Sequence, residues 1–377
     1  MILSMDFLRK MLDHIWRLVV NEGTKIHLSE RNSNLTDFDY LCDMSVAVVI
    51  LNYNGRKFLA DFLPIVISTT QSAKIYVADN GSSDDSLDLL ATNFPEVSVI
   101  AWTENLGYAG GYNYALGQIN ADYFVLMNSD IAPRNGWLPP LVRYFESNPS
   151  LGAAQPFLLD YNQPDYFEYA GAAGGYWDTY GYPFCRGRLF DTLEKNEGQY
   201  TTSTVNWATG ACLMVRADAY NQVGGLDSYL FAHMEEIDLC WRMQRAGYTI
   251  AAVAESEILH VGGGTLNKEN PFKTYLNFRN NLILLYKNLE PSQRFSTIFI
   301  RMILDAVAGV KFLTEGKFSS FTAILKAHYG FYVYLFTVKE KHNLPDALQK
   351  IWPQSFKGSL LKAYFLEGKK KFNQLKF

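Results

Sequence analysis

Apolar and polar positions change in regular blocks along residues 44–157, and the blocks predict strands and helices in turn. Short runs of β-branched and other apolar residues predict buried strands, and apolar residues at three- and four-residue spacing predict the helices between them. The predicted strands span 46–51, 74–78, 97–102, 123–127 and 152–157, and the predicted helices span 56–68, 83–93, 110–119 and 137–147. Strands that alternate with helices indicate an α/β fold with a mainly parallel sheet covered on both faces.

Polar residues follow the predicted strands, where a parallel sheet binds its ligands. Because the carboxyl ends of parallel strands meet at one edge of a sheet, we expect these residues to lie close together. In chain order they are Asn52, Tyr53, Asn54, Asp79, Asn80, Asn105, Asn128, Ser129 and Asp130.

The second half of the chain has a less regular pattern. Residues 158–206 are rich in Tyr, Gly and Asp, and their weak periodicity predicts a long insertion or loop region near a site. Order returns with a predicted helix over 234–246, a strand over 248–254 and a helix over 273–288. Residues 291–377 predict amphipathic helices, because apolar positions recur at three- and four-residue steps.

Composition and charge narrow the class of protein. Of the 377 residues, 48 % are hydrophobic and 19 % are charged, which indicates a folded chain with a sizeable core. The net charge of −4 argues against a nucleic-acid partner held by bulk charge. The charge is uneven, however, because residues 291–377 hold 14 Lys+Arg against 5 Asp+Glu, and residues 1–290 hold 20 against 33.

The cysteine spacing and the N-terminal segment say little about redox environment and targeting. No two of the four cysteines have C-x-x-C spacing, so neither a zinc site nor a disulfide framework is indicated, and a cytoplasmic location is the simplest interpretation. Residues 1–43 show no secretory signal pattern. Two interpretations of this segment stay open: a stretch upstream of a native start at Met44, or an ordinary flexible N-terminal extension.

Eight motifs in order along residues 44–285 resemble inverting family 2 glycosyltransferases of the GT-A fold, and are most similar to the bacterial rhamnosyltransferase-like branch. The resemblance implies a three-layer α/β/α catalytic domain over 44–270, followed by a basic, amphipathic helical C-terminal region over 271–377. The motifs are VVILNYNG, VADNGSSDDS, NLGYAGGYNYAL, YFVLMNSD, WATGACLMVRADAY, GGLD, EEIDLCWRMQRAGY and HVGGGT.

The resemblance assigns a nucleotide-sugar donor to the polar edge. Asp79 is implied to accept a hydrogen bond from uracil or thymine, although a carboxylate between a strand and a helix also fits a plain Asx turn. The glycines around Gly107 allow a backbone to approach a sugar–phosphate closely, or simply form a flexible loop. The implied donor-binding residues are Asn52, Tyr53, Asn54, Asp79, Asn105, Gly107, Asn128 and Asp130.

A divalent cation is implied beside the donor. Asn128, Ser129 and Asp130 stand where the family has its D-x-D motif, with Asn128 in place of the first Asp. Carboxylate oxygen suits Mg²⁺ or Mn²⁺, so Asp130 is the expected ligand, and the resemblance adds His260 as a second. A strand-end cap at Asp130 and a structural role for His260 are the alternatives.

The catalytic base is expected in the motif that begins at Glu235. An inverting transfer needs a base for the acceptor hydroxyl, and adjacent carboxylates raise each other's pKa. The resemblance favours Glu236, which replaces the family's usual Asp, and Glu235 stays open as the alternative. Asp238 and Arg242 have the spacing of a structural pair on one helix face.

The expected function is therefore transfer of a sugar, from a dTDP- or UDP-sugar, to a saccharide or lipid-linked acceptor in cell-surface polysaccharide assembly. The resemblance alone favours dTDP-rhamnose. The basic tail adds a membrane surface as a partner, with the enzyme peripheral on the inner face of the plasma membrane. Two alternatives remain: a nucleotidyltransferase, which residues 52–55 fit poorly as a phosphate loop, and a catalytically silent nucleotide-sugar binding protein, which the departures at Asn128 and Glu236 support.

Overall fold

A nine-stranded mixed sheet forms the centre of the fold. The computed structural model describes residues 44–262, 270–338 and 356–377, so the predictions for 1–43, and for Gly263 and Gly264 of the HVGGGT motif, concern residues outside these ranges. The described strands are β1 (Val46–Asn52), β2 (Lys74–Asn80), β3 (Ser98–Trp102), β4 (Tyr123–Asn128), β5 (Ile131–Pro133), β6 (Leu151–Asp160), β7 (Gly175–Trp177), β8 (Pro183–Cys185), β9 (Arg188–Leu189), β10 (Thr192–Leu193), β11 (Ser203–Val205), β12 (Cys212–Arg216) and β13 (Thr249–His260).

The strands of the large sheet run in the order β11-β13-β6-β12-β4-β1-β2-β3, and β5 pairs with β13. All pairings among β3, β2, β1 and β4 are parallel, and so is the long pairing of β6 with β13. The antiparallel pairings involve β5, β11 and β12. The sheet is therefore mixed and mainly parallel, as predicted.

Helices cover both faces of this sheet. Alternate residues of β1 point to opposite faces, with Val48 in one core cluster and Val49 in the other. The described helices are α1 (Arg56–Thr69), α2 (Ser86–Asn93), α3 (Gly107–Leu116), α4 (Leu138–Ser147), α5 (Ala217–Gln222), α6 (Glu235–Arg245), α7 (Pro271–Asn288), α8 (Pro291–Thr314) and α9 (Phe318–Thr337). Side chains of α1, α2 and α4 pack with Val48, and those of α3, α5, α6 and α7 pack with Val49. The predicted three-layer α/β/α architecture, with helices following it, is confirmed.

The segment 158–206 is more regular than the sequence predicts. It holds a second, four-stranded antiparallel sheet, β10-β9-β8-β7, and also β11 of the large sheet. Its strands are two or three residues long, which is too short to show periodicity in the sequence. Trp207 packs directly over Gly175, where a Cβ would lie 2.0 Å from the indole ring.

The helix α7 is tied to α6 through one buried carboxylate. Asp238 accepts hydrogen bonds from Arg242 at 2.8 Å, from Lys287 at 2.9 Å and from Asn288 at 2.8 Å. The predicted pairing of Asp238 with Arg242 is thereby confirmed. Burial by itself raises the pKa of Asp238, but Arg242 and Lys287 outweigh it and hold this pKa well below its usual range.

Among the described residues, no helix is both long enough and apolar enough to cross a lipid bilayer. The boundary expected at residue 270 between a catalytic domain and a C-terminal region stays a prediction.

The substitution Asp238→Ala is expected to lower the free energy of unfolding by about 3–5 kcal/mol, because it leaves the buried Arg242 without its carboxylate and Lys287 with Asp227 alone. Urea unfolding followed by tryptophan fluorescence measures this change. The matched control is Asp61→Ala on the exposed face of α1, for which we expect a change within about 0.5 kcal/mol. Equal effects of the two substitutions would contradict the role of Asp238 as the anchor.

Candidate functional site

The carboxyl ends of three neighbouring strands bring the first polar residues together. β1 lies between β2 and β4 and is parallel to both, so the three strands end at one edge of the sheet. Asn52 is paired in register with Asp79, and Leu51 is paired with Asn128. The expectation that the polar residues share one edge is confirmed for these strands, and it places Asn52, Asp79 and Asn128 side by side.

Both carboxylate oxygens of Asp79 accept hydrogen bonds from the protein, and its side chain is buried. Oδ1 accepts from Nδ2 of Asn52 at 2.9 Å, and Oδ2 accepts from the backbone N–H of Ser82 at 3.0 Å. The second bond forms the Asx turn that the sequence analysis gives as the alternative interpretation of Asp79. A carboxylate oxygen has room for a further donor, so recognition of a pyrimidine by Asp79 stays a prediction.

The two residues after β1 have different roles in the structure. Oδ1 of Asn54 accepts a hydrogen bond from the backbone N–H of Ser83 at 2.7 Å, and the N–H of Asn54 donates to Oγ of Ser82 at 2.9 Å. Asn54 therefore fixes the loop. Tyr53 is 41 % exposed, so its ring is accessible at this edge of the sheet.

Asn105 and Gly107 shape the start of α3. Oδ1 of Asn105 accepts hydrogen bonds from the N–H of Gly107 at 2.8 Å and from Nδ2 of Asn80 at 3.0 Å. Gly107 has a φ of 72°, and a Cβ at this position would lie 2.4 Å from the ring of Phe231. The N–H of Tyr108 donates to the carbonyl of Phe231 at 2.7 Å. Gly107 thus permits a close approach to the loop before α6. Contact of Gly107 with a nucleotide-sugar donor stays a prediction.

Asp130 and His260 lie in contact, and a second carboxylate faces the other side of the imidazole. Nε2 of His260 is 3.2 Å from Oδ1 of Asp130, and Nδ1 is 3.1 Å from Oε2 of Glu168. Pairing of β5 with β13 brings Asp130 and His260 together, because Ile131 is in register with His260. Burial by itself lowers the pKa of His260, but the two carboxylates outweigh it and raise the pKa to about 10.

The donor set around His260 fits a divalent cation in part. Asp130 offers oxygen, and His260 would offer an imidazole nitrogen after losing the proton that its raised pKa keeps on the ring. Glu168 stands where a carboxylate orients a ligating histidine. Among the described residues, however, no group of three or more His, Cys, Asp or Glu side chains is arranged to hold a metal ion. The described residues therefore supply two candidate ligands, and a cation site would need others.

Glu235 and Glu236 begin α6 at the same edge of the sheet. A Cβ on Gly210 would lie 3.6 Å from Cβ of Glu236. The next residue, Ala211, accepts a hydrogen bond through its carbonyl from the backbone N–H of Asn128 at 2.9 Å. Glu236 thus lies beside the residues that lead into β12, next to the end of β4.

Burial sets the protonation of this pair. A helix N-terminus favours ionised carboxylates, but desolvation is the larger effect here and raises the pKa of both groups. The pKa of Glu236 rises to about 6. The pKa of Glu235 rises well above its ordinary value, because Glu235 is buried and faces the negative charge of Glu236. The site therefore holds two adjacent buried carboxyl groups, and the pKa of each is raised.

The loop before α6 is strained, and α7 holds it in place. Phe231, His233 and Met234 all have positive φ, which bulky L-residues rarely adopt. Nδ2 of Asn280 donates to three carbonyls of residues 230–233, at 2.9, 2.9 and 2.8 Å. Asn280 is therefore the side chain that fixes the backbone leading into Glu235 and Glu236.

Glu168 and Asn280 were missed by the sequence reasoning. Glu168 lies in the aperiodic segment 158–206, where no pattern distinguishes one carboxylate from another. Asn280 left a signal, because it stands beside Asn281 next to the apolar run LILL, and both asparagines are buried. A buried amide in a helix indicates a specific hydrogen-bond partner.

Comparisons with known proteins agree on one family. The model of the glycosyl transferase family 2 matches residues 47–224. An N-acetylglucosaminyl-diphospho-decaprenol L-rhamnosyltransferase of Mycobacterium tuberculosis is 29 % identical over 233 residues, which are 56 % of this chain and 75 % of the relative. The rhamnosyltransferase WbbL of Escherichia coli is 23 % identical over 57 % of this chain and 83 % of its own length. A mannosyltransferase of Pyrobaculum calidifontis, solved with GDP-Man and Mn²⁺, has a TM-score of 0.46 and 13 % identity over 79 % of this chain and 88 % of its own.

The substitution Asn280→Leu is expected to loosen the loop over 230–234, because it leaves three carbonyls without their shared donor. Hydrogen exchange at the N–H of Tyr108, which donates to the carbonyl of Phe231, should then become at least about tenfold faster. The control is Asn277→Leu, which removes only a bond from Nδ2 to the Lys273 carbonyl within α7. Unchanged exchange at Tyr108 in the Asn280 variant would contradict this assignment.

Proposed function

We propose, from the premise that the chain belongs to glycosyltransferase family 2, that it moves a sugar from a nucleoside-diphosphate sugar to a saccharide or lipid-linked acceptor, with inversion at the anomeric carbon. The two rhamnosyltransferases among its relatives favour a dTDP- or UDP-sugar, and dTDP-rhamnose first among them, as the donor. A lipid-diphosphate acceptor in the name of one relative favours an acceptor presented at the inner face of the plasma membrane. The product would enter cell-surface polysaccharide assembly.

The buried Glu235–Glu236 pair at the start of α6, beside the end of β4, carries this proposal. In an inverting displacement, the acceptor oxygen forms a bond to the anomeric carbon while the bond from that carbon to the diphosphate breaks, and the bonding electrons leave with the diphosphate. The acceptor hydroxyl proton passes to the Glu236 carboxylate. A pKa of about 6 suits this step, because the group is ionised at neutral pH and still basic enough to hold the proton.

Glu235 supports Glu236 rather than replacing it. Its burial and the charge of Glu236 raise the pKa of Glu235, so Glu235 ionises less readily than a free glutamate. Tyr108 is a neutral group near the pair, since its hydroxyl donates to the carbonyl of Gly210 at 2.5 Å and burial raises its pKa well above the ordinary value.

Asp130 and His260 would hold a divalent cation, Mg²⁺ or Mn²⁺, with Glu168 orienting the imidazole. When bound, such a cation neutralises charge on a departing diphosphate. Asn52, Tyr53, Asn54, Asp79, Asn105, Gly107 and Asn128 are retained as the proposed donor-binding residues, because their strands end at the edge where Glu236 lies.

A catalytically silent binding protein remains the alternative that the same geometry accommodates, since Asn128 and Glu236 both depart from the family pattern. A silent protein has no need of two adjacent buried carboxyl groups at this edge of the sheet. The substitution experiment below separates the two.

Glu236→Gln is expected to lower the turnover number by about 10²–10⁴-fold, because it removes the proton acceptor while keeping the shape of the side chain. Glu235→Gln keeps a neutral hydrogen-bonding group and should retain activity within about tenfold. Initial transfer rates with dTDP- and UDP-sugars measure both, and thermal shift with the nucleotide reports whether donor binding survives. The opposite order of effects would assign the base to Glu235, and full activity of both variants would refute the carboxylate mechanism.

The rate of the unaltered enzyme should also rise with pH through about 6, because Glu236 acts as a base only when ionised.

A thermal-shift panel of UDP-, dTDP- and GDP-sugars, each with Mg²⁺, Mn²⁺ or EDTA, tests the donor and the cation together. We expect the largest stabilisation from a dTDP- or UDP-sugar with a divalent cation, and an Asp130→Ala variant that no longer responds to the cation. Equal stabilisation with EDTA would contradict a role for Asp130 and His260 as ligands.

A further inference from the structure

The helix α8 presents an apolar face to the outside over residues 295–310. The side chains on this face have between 37 % and 81 % of their surface exposed, and no charged residue interrupts them. They are Phe295, Phe299, Ile300, Ile303, Val307 and Val310. Spacing of three and four residues places them in one stripe along the helix. We call this stripe the α8 face.

The charged residues of the same stretch point inward. Arg301 and Asp305 are 4 % and 1 % exposed, and they form an ion pair at 3.0 Å. Oδ2 of Asp305 lies 3.2 Å from Nε2 of His328 on α9, and the Arg301 guanidinium lies 3.8 Å from the ring centre of Tyr182. A helix on a water-facing surface buries its apolar stripe and exposes its charges. In α8 the arrangement is the opposite.

We propose that the α8 face docks onto an anionic lipid surface. An outward apolar stripe of this size, which only the exposed Ser296 interrupts within residues 295–310, marks an interaction surface. The opposite face of α8 packs on protein through Ile298, Arg301, Asp305 and Gly309, so only one side of the helix is free to enter a lipid interface, as in a helix that lies parallel to a membrane.

Charge around the α8 face selects anionic lipid. Lys311 near the end of α8 and Lys317 just before α9 have about half or more of each side chain exposed, and both pair with Glu315, while Lys326 is exposed on α9. The described residues 356–377 add six lysines against one glutamate. An outward apolar stripe in a C-terminal part that is basic overall matches the interface of a bilayer whose headgroups are negative.

Docking through α8 would link the bilayer to the proposed base, Glu236, through only two helices. α8 follows α7 after two residues, and α7 carries Asn280, which holds the loop into Glu235 and Glu236. A membrane-bound acceptor would therefore meet a site whose loop is fixed to the docking helices. The docking itself stands on the surface of α8 and does not require the proposed activity.

Co-sedimentation of the full chain with vesicles tests this proposal, using phosphatidylglycerol–phosphatidylcholine vesicles and pure phosphatidylcholine vesicles in parallel. We expect the unaltered protein to bind the anionic vesicles, and the double variant Phe299→Ser/Ile303→Ser to bind them at least about tenfold more weakly. The matched control is Leu87→Ser/Val99→Ser, which replaces two apolar side chains that are 40 % and 42 % exposed elsewhere on the sheet domain and should bind as the unaltered protein does. Thermal unfolding confirms that each variant is folded.

Several outcomes would overturn the proposal. No binding of the unaltered protein to either vesicle type would refute docking, and equal binding to both types would refute selection of anionic lipid. Unchanged binding of the Phe299/Ile303 variant would move the contact away from α8. A dimer that dissociates in this variant, without vesicle binding, would assign the face to a second copy of the chain. Because vesicle binding needs neither donor nor acceptor, it fails or succeeds independently of sugar transfer to a water-soluble acceptor.

Discussion

Burial of two adjacent carboxylates at a helix N-terminus is the constraint on which the candidate site depends. The helix dipole and the free N–H groups of its first turn would keep both Glu235 and Glu236 ionised on a surface. Desolvation opposes that preference and raises the pKa of both groups, and the charge of Glu236 raises that of Glu235 further. The backbone before α6 must accept three residues with positive φ to place the pair there. Strain of this kind persists only where surrounding contacts fix it, and Asn280 provides those contacts.

The helices after residue 270 are therefore part of the site and not only an addition to it. The family model ends at residue 224, yet Glu236, His260 and Asn280 all lie beyond that point. Asp238 anchors α6 to α7 through Lys287 and Asn288. Without α7, Asp238 would lose Lys287 and Asn288, and the loop before α6 would lose the donor Asn280. The sheet and the following helix thus form one mechanical unit around the candidate base, although the sequence suggests two regions.

The fold could be predicted where local pattern and topology agree. The strands from β1 to β4 have continuous apolar runs, and their carboxyl ends had to share an edge once the pairing was parallel. The Asp238–Arg242 pair followed from helix spacing alone. Glu168 could not be predicted, because only pairing of β6 with β13 and the turn at residue 168 bring it to His260, and neither has a local signature. Which of Glu235 and Glu236 stays ionised also depends on burial, which the sequence does not contain.

The orientation of α8 could not be predicted from the sequence either. Its periodicity defines an apolar stripe but not whether the stripe faces the protein, and a stripe of this kind usually faces the core. What decides the orientation is the charged pair on the other face. Arg301 and Asp305 need partners when they are buried, and Tyr182 and His328 provide them, each from a different segment of the chain. Because those partners exist only inside the fold, the charges turn inward and the apolar stripe is left outward. The buried charges of α8 are paired with protein side chains, whereas its apolar residues face outward. This arrangement indicates that the α8 face contacts a medium other than water.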